Sequence, residues 1–187
     1  GFTASYGRPA FADLDRDGDP DLFLTNAEQG SLVLHNDGSG IFSDSGQNLG
    51  HNSVAVILSD LDGDRTLDAL TAHQLFAAEI WCNEGSGAFS SAGPGPTELD
   101  VFSICAGDVD RDGALDVIGV CGQGPVSWWQ NINGDGTAWV QRTLDAYYDG
   151  GNSIYATDVD SDGDLDVLAT AAGAEDITWW ENSGTGL

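Results

Sequence analysis

A nine-residue acidic segment occurs four times in this chain, and it limits the fold more than any other feature. It reads DLDRDGDPD at Asp13 to Asp21, DLDGDRTLD at Asp60 to Asp68, DVDRDGALD at Asp108 to Asp116 and DVDSDGDLD at Asp158 to Asp166. The starts are 47, 48 and 50 residues apart, and 18 of the 25 aspartates fall inside these windows. Self-similarity at a fixed period of roughly 40 to 50 residues marks a solenoid or a propeller.

The rest of the unit repeats as well. An apolar stretch precedes each window (Ala10 to Ala12, Val54 to Leu58, Phe102 to Ala106, Ile154 to Ala156) and another follows it (Leu22 to Leu24, Ala69 to Ala72, Val117 to Val120, Val167 to Ala171). A third ends in asparagine, at Asn36, Asn83, Asn131 and Asn182, and a glycine-rich turn then leads to Phe42, Phe89 or Trp139. Short runs rich in β-branched and aromatic residues between turn signals read as strands, and no stretch sustains a helical period. Four strands per unit at this spacing describe a propeller blade. The expectation is an all-β protein, a β-propeller of four four-stranded blades forming one domain over residues 1–187. The repeats span about 8–46, 53–95, 101–144 and 152–187, the last joined by 1–7. After Asn182 the chain stops before an aromatic strand, and it opens on Gly1-Phe2-Thr3-Ala4, which resembles the missing one. Phe2 to Ser5 is therefore expected to pair with Ile177 to Asn182, within one chain or between chains; if the chain belongs to a larger propeller, it pairs elsewhere.

The acidic windows have the chemistry of a hard-cation site. Aspartates at positions 1, 3, 5 and 9 are Asp13, Asp15, Asp17 and Asp21; Asp60, Asp62, Asp64 and Asp68; Asp108, Asp110, Asp112 and Asp116; and Asp158, Asp160, Asp162 and Asp166. A backbone carbonyl at position 7, from Asp19, Thr66, Ala114 or Asp164, completes an oxygen set of the size calcium prefers. Without a cation, each carboxylate pair at about 6 Å costs roughly 3 kcal/mol at an effective dielectric near 20. Glycine at position 6 (Gly18, Gly113, Gly163) suits a loop that doubles back through positive φ. Arg65 replaces it in the second window, so the expectation is up to four Ca²⁺ with the Asp60–Asp68 site weakest.

With these motifs in hand, the chain resembles the FG-GAP/VCBS repeats, the calcium-loop blades of integrin α-subunit propellers and of lectin-like propellers. The DxDxDGxxD core, the W-x-N ending and the G-x-F strand start carry the resemblance. It implies a secreted or cell-surface binding or adhesion module with protein or glycan ligands, held at the loop face opposite the metal or between blades. Gln74, Phe76, Tyr147, Tyr148, Asp149 and Asn152 are the candidate ligand residues there.

Composition narrows the alternatives. There are 31 acidic and 5 basic residues, all five arginine, for a formal charge of −26. That excludes a nucleic-acid binder, which needs clustered cations, and argues against anionic membranes. No apolar run reaches the roughly 18 residues of a membrane span. No methionine occurs, even at position 1, which predicts a processed product or an excised segment. The paired tryptophans Trp128-Trp129 and Trp179-Trp180 recur at one blade position and are expected to pack between blades; adjacent strand residues face opposite ways, so at most one of each pair meets a given partner. His35, His51 and His73 read as surface or satisfied residues. Cys105 and Cys121 flank the third window, either as a cross-strand disulfide or as buried thiols. No Ser-His-Asp pattern or basic phosphate cradle is present, so the reading is not an enzyme. The runners-up are a structural subunit that assembles into an oligomer or filament through an open blade edge, and an accessory domain of an extracellular enzyme.

Overall fold

The computed structural model describes residues 6–50, 52–73, 77–96, 101–172, 175–184 and 186–187. Among these, fifteen strands form four antiparallel sheets, each an up-and-down meander. The first holds β1 (Tyr6–Ala12), β2 (Asp21–Asn26), β3 (Leu32–Asn36) and β4 (Phe42–Asp44). The second holds β5 (Ser53–Ser59), β6 (Asp68–His73), β7 (Glu79–Asn83) and β8 (Phe89–Pro94). The third holds β9 (Val101–Gly107), β10 (Asp116–Cys121), β11 (Gln123–Asn131) and β12 (Trp139–Asp149). The fourth holds β13 (Gly151–Thr157), β14 (Asp166–Ala171) and β15 (Asp176–Trp180). These are the blades of a four-bladed β-propeller, with the first strand of each innermost. Arg8 on β1 reaches Ser103 on β9 at 3.4 Å, linking blades 1 and 3. The expected pairing of Phe2 to Ser5 lies outside the described residues.

The strand pleat explains why blades stack. Successive side chains point to opposite faces, so the register sorts each blade into two apolar rows. One row is Ala10–Phe23–Val33 in blade 1, Ile57–Leu70–Ile80 in blade 2 and Cys105–Ile118–Trp128 in blade 3. It faces the next blade. The other is Leu58–Ala69–Trp81, then Ala106–Val117–Trp129, then Ala156–Val167–Trp180. It faces the previous blade.

Three buried clusters fill the seams between consecutive blades. Leu14, Phe23 and Val33 meet Leu58, Ala69, Trp81 and Phe89. Leu61, Leu70 and Ile80 meet Leu115, Val117, Trp129 and Trp139. Val109, Ile118 and Trp128 meet Ala156, Val167 and Trp180. Fully burying one such aliphatic side chain stabilises by about 1.5–3 kcal/mol. Trp128 and Trp129 thus serve different seams, as strand alternation predicts; Trp179 is the exception and lies exposed. Cys105 stands opposite Ile118 and Cys121 opposite Val101. They occupy separate rungs of the ladder and no disulfide joins them. Burial pushes the Cys105 thiol up to about 12, so it behaves as a small apolar group in its cluster.

Candidate metal centres

Each acidic window forms the loop between the first and second strands of its blade, and one pattern of backbone hydrogen bonds organises all four. The aspartate at position 9 opens the second strand and is wholly buried. Asp21 accepts from the Leu14 amide at 3.0 Å and the Asn36 amide at 2.9 Å. Asp68 accepts from Leu61 and Asn83, Asp116 from Val109 and Asn131, and Asp166 from Val159 and Asn182. Burial raises the Asp68 and Asp116 carboxyls to about 6. At Asp166 burial is again the largest influence, but the hydrogen bonds it accepts, from the Asn182 and Val159 amides, the Trp179 side chain and the Asp160 amide, together outweigh it and the carboxyl lies below its ordinary value.

The aspartates at positions 3 and 5 are aimed in the same way. Each gives one oxygen to the amide two residues ahead: Asp15 to Asp17, Asp17 to Asp19, Asp110 to Asp112, Asp112 to Ala114, Asp160 to Asp162 and Asp162 to Asp164. Asp62 and Asp64 do likewise with Asp64 and Thr66. Position 1 closes the loop onto the position 6 amide, as Asp13 on Gly18 at 3.1 Å and Asp108 on Gly113 at 3.1 Å. These bonds pin one oxygen of each carboxylate at positions 3 and 5 and both oxygens of Asp60 and Asp158, which also accept from the Gly63 and Ser161 amides, and they leave further lone pairs for a cation. The Asp108 Oδ1 is buried with no hydrogen-bond partner. Carboxylate oxygens of Asp13, Asp15 and Asp17, of Asp60, Asp62 and Asp64, and of Asp108, Asp110 and Asp116 lie within 4.8 Å of one another. The donor set is hard oxygen throughout positions 1 to 9, so these residues fit a divalent cation of the calcium type.

Two features of the loops escaped the sequence reading. Position 6 has positive φ as expected, at Gly18, Gly113 and Gly163 (95°, 93°, 93°), but so does position 4: Arg16 at 64°, Gly63 at 82°, Arg111 at 60° and Ser161 at 67°. The second loop exchanges the two types, with Gly63 at position 4 and Arg65 at 71° at position 6. Every loop therefore holds one glycine and one non-glycine in the left-handed region. The second feature is the residue before the recurring asparagine in the first three blades. His35 Nδ1 lies 3.5 Å from Asp15 and 3.7 Å from Asp21, so it belongs to the loop rather than to open surface. Cys82 lies with Asp62 and Asp68, and Gln130 donates to Asp110. The signal was a fixed offset of 14 residues from the position 9 aspartate in three blades, hidden because the three residue types share no chemistry.

The asparagine itself fastens loop to loop across the seams. Its side-chain amide donates to the carbonyl at position 2 of the preceding blade's loop: Asn83 to Leu14 at 2.9 Å, Asn131 to Leu61 at 3.2 Å and Asn182 to Val109 at 2.7 Å. It also donates to a carbonyl of its own loop, at Leu67, Leu115 and Leu165. Arg16 donates to the Arg65 carbonyl, and Arg111 pairs with Asp164, adding further ties between neighbouring loops.

The candidate ligand residues sit at the far end of the blades. Tyr147 is 91% exposed. With Asp149, Ala146, Gln123 and Gly124 it lines a hollow of about 500 Å³. Tyr148 is turned inward instead: its hydroxyl donates to the Ala169 carbonyl at 3.0 Å and its ring meets Trp180 edge-on. The physical reason is that β12 runs on to Asp149, so adjacent tyrosines take opposite faces. Asn152 is exposed on β13; Gln74 and Phe76 lie outside the described residues.

Among solved structures, the chain is similar to the computationally designed Ika4 protein at 13% identity, with a TM-score of 0.60 over 96% of this chain and 92% of that one. That likeness concerns the fold alone. No curated protein matches the sequence. The sequence pattern of the FG-GAP-like repeat matches residues 13–71 and 108–169, which take in all four acidic loops and well over half of the chain. On that match, the chain belongs to the FG-GAP-like repeat family.

Proposed function

We propose that this protein is a calcium-stabilised binding module that works outside the cell or at its surface, without catalysis of its own. One observation carries the reading: four loops repeat the same carboxylate array, each held open by its own backbone amides. Calcium bound there would neutralise the mutual repulsion of the aspartates and stiffen the loops that the asparagine latches join. Asp13, Asp15, Asp17 and Asp21 would hold the first ion, and the corresponding aspartates the other three, with the position 7 carbonyls of Asp19, Thr66, Ala114 and Asp164. Extracellular calcium is abundant enough to fill sites of even modest affinity.

Recognition is then left to the opposite end, where residues differ between blades. Tyr147 offers an exposed ring beside the Asp149 carboxylate and the Gln123 amide. A ring flanked by planar acceptors and donors suits a sugar or a protein loop: an apolar face stacks and hydroxyls or amides pair at the rim. We read glycans as the first ligand class to try. The test is a glycan array probed with the calcium-loaded protein and with Tyr147→Ala. The reading expects binding that Tyr147→Ala abolishes without lowering the melting temperature. Binding that survives the substitution would move recognition elsewhere.

A further inference from the structure

Every blade has a face turned to its successor and a face turned to its predecessor. Six of these eight faces meet in the three seams. Among the described residues no blade packs on the other two, the predecessor face of blade 1 and the successor face of blade 4, and each keeps exposed apolar side chains. In blade 4 the successor row is Tyr155–Leu168–Trp179. Trp179 is 44% exposed, where Val33, Ile80 and Trp128 at the same position are at most 2% exposed. Val159 at loop position 2 is 42% exposed, where Leu14, Leu61 and Val109 are each 1% exposed. Tyr155 in the same row is also exposed.

Blade 1 shows the matching deficit. Its predecessor row is Phe11–Leu22–Leu34; Leu34 is buried, but Phe11 is exposed and set edge-on to an exposed Phe42 at 6.4 Å. In the finished seam between blades 1 and 2, Phe89 at the Phe42 position instead meets Phe23 of the blade before it, edge-on at 5.7 Å. Asn36 donates to Pro20 of its own loop but, unlike Asn83, Asn131 and Asn182, to no carbonyl of another blade among the described residues. Gly40 has open space around it, where Gly87, Gly136 and Gly186 at the same turn abut the preceding blade.

We propose that these two faces form one protein–protein interface, occupied by a second copy of this chain docked head to tail, blade 1 of one copy on blade 4 of the other. The choice of occupant rests on complementarity. Blade 1 offers a second asparagine N–H, and blade 4 the position 2 carbonyl of Val159, to which no side-chain amide of the described residues donates. Three other pairs in the same molecule show these groups bonding at 2.7–3.2 Å. A second copy supplies both halves at once, together with Phe11 and Phe42 for the row that ends in Trp179. The contact uses blade faces rather than an edge strand, and the fourth acidic loop gains its latch only from the partner's Asn36. Head-to-tail contacts either close into a ring or continue as a chain of copies. The inference is independent of the ligand assigned to the Tyr147 hollow.

Sedimentation of the whole chain in calcium over a wide concentration range tests it. The expected result is a concentration-dependent species at twice 19.5 kDa or its multiples. Phe11→Asp with Phe42→Asp, and separately Val159→Asp with Trp179→Asp, each weaken association at least tenfold while the melting temperature of the dilute protein holds. Wild-type protein that stays monomeric at every concentration overturns the proposal. So does a monomer whose melting temperature falls on either pair of substitutions, since the faces then close within one chain. Association untouched by both variants also overturns it, placing the contact elsewhere.

Discussion

Trp128 and Trp179 hold the same position in consecutive blades, yet one is buried in a seam and the other stands at the surface. The first lies between blades 3 and 4 against Val167 and Trp180. The second belongs to a row with no blade against it among the described residues. Both lie on the third strand of their blade, three residues before the latch asparagine, and both follow an acidic loop with the same hydrogen bonds. The difference teaches that the repeat encodes a blade with two adhesive faces, and that stability comes from pairing the faces rather than from the blade itself. A single sheet cannot bury its own apolar rows, so repeats support one another through their interfaces.

The largest effect should come from the tryptophans. Trp128→Ala is expected to cost about 3–5 kcal/mol, as for a large buried aromatic, and Trp179→Ala less than about 1 kcal/mol in dilute monomer. Urea unfolding of both variants gives the comparison, and equal losses would erase the distinction between the two seams. The latch should behave in the same way on a smaller scale. Asn131→Ala removes bonds to Leu61 and Leu115 and leaves buried carbonyls unpaired, which typically costs about 1–3 kcal/mol. Asn36→Ala should cost roughly half as much or less, because one of its two outward partners is lacking. A reversed order would show that the loop contacts, not the seam contacts, carry the asparagine's contribution.

Acidity sharpens the role of the inner aspartates. Asp68 and Asp116 have carboxyls raised by burial to about 6, above the ordinary value of the unfolded chain. In the metal-free protein their protonated forms favour folding, so this contribution is full near pH 4 and is lost as pH rises through about 6. Calcium needs the ionised forms, so the gap in melting temperature between calcium-loaded and chelated protein should shrink as pH falls through about 6. A gap of the same size at pH 7 and pH 5 would mean that these two carboxylates do not serve the ion. The smallest effect concerns the second loop. Arg65→Gly should stabilise by about 1 kcal/mol, since a non-glycine residue in the left-handed region costs roughly that much; Gly63→Ala should cost a similar amount. Unchanged urea midpoints would show that the loop tolerates side chains at both positions.

Much of this architecture is legible in the sequence because aspartates at fixed spacing mark every blade, and the β alternation around them leaves little choice of fold. The left-handed position 4 is not legible, since Arg16, Arg111 and Ser161 occupy it and only Gly63 shows the need. The loop role of His35 is hidden by its unlike counterparts Cys82 and Gln130. Tyr148 was misplaced at the surface because the length of β12, and hence its pleat, was not marked by a turn residue before Asp149. The uncovered faces of blades 1 and 4 depend on how far the blades turn around the ring, and no local residue pattern records that.

The central claim is that cations in the acidic loops hold the blades together. The most direct measurement is a melting curve in millimolar calcium and again after chelation, with metal content determined in both samples. A ligand bound to the folded state at 100 times its dissociation constant stabilises by about 2.7 kcal/mol per site. Several such sites should lower the melting temperature on chelation by 10 °C or more, roughly. Superimposable curves in samples whose calcium has been shown to differ would contradict the account.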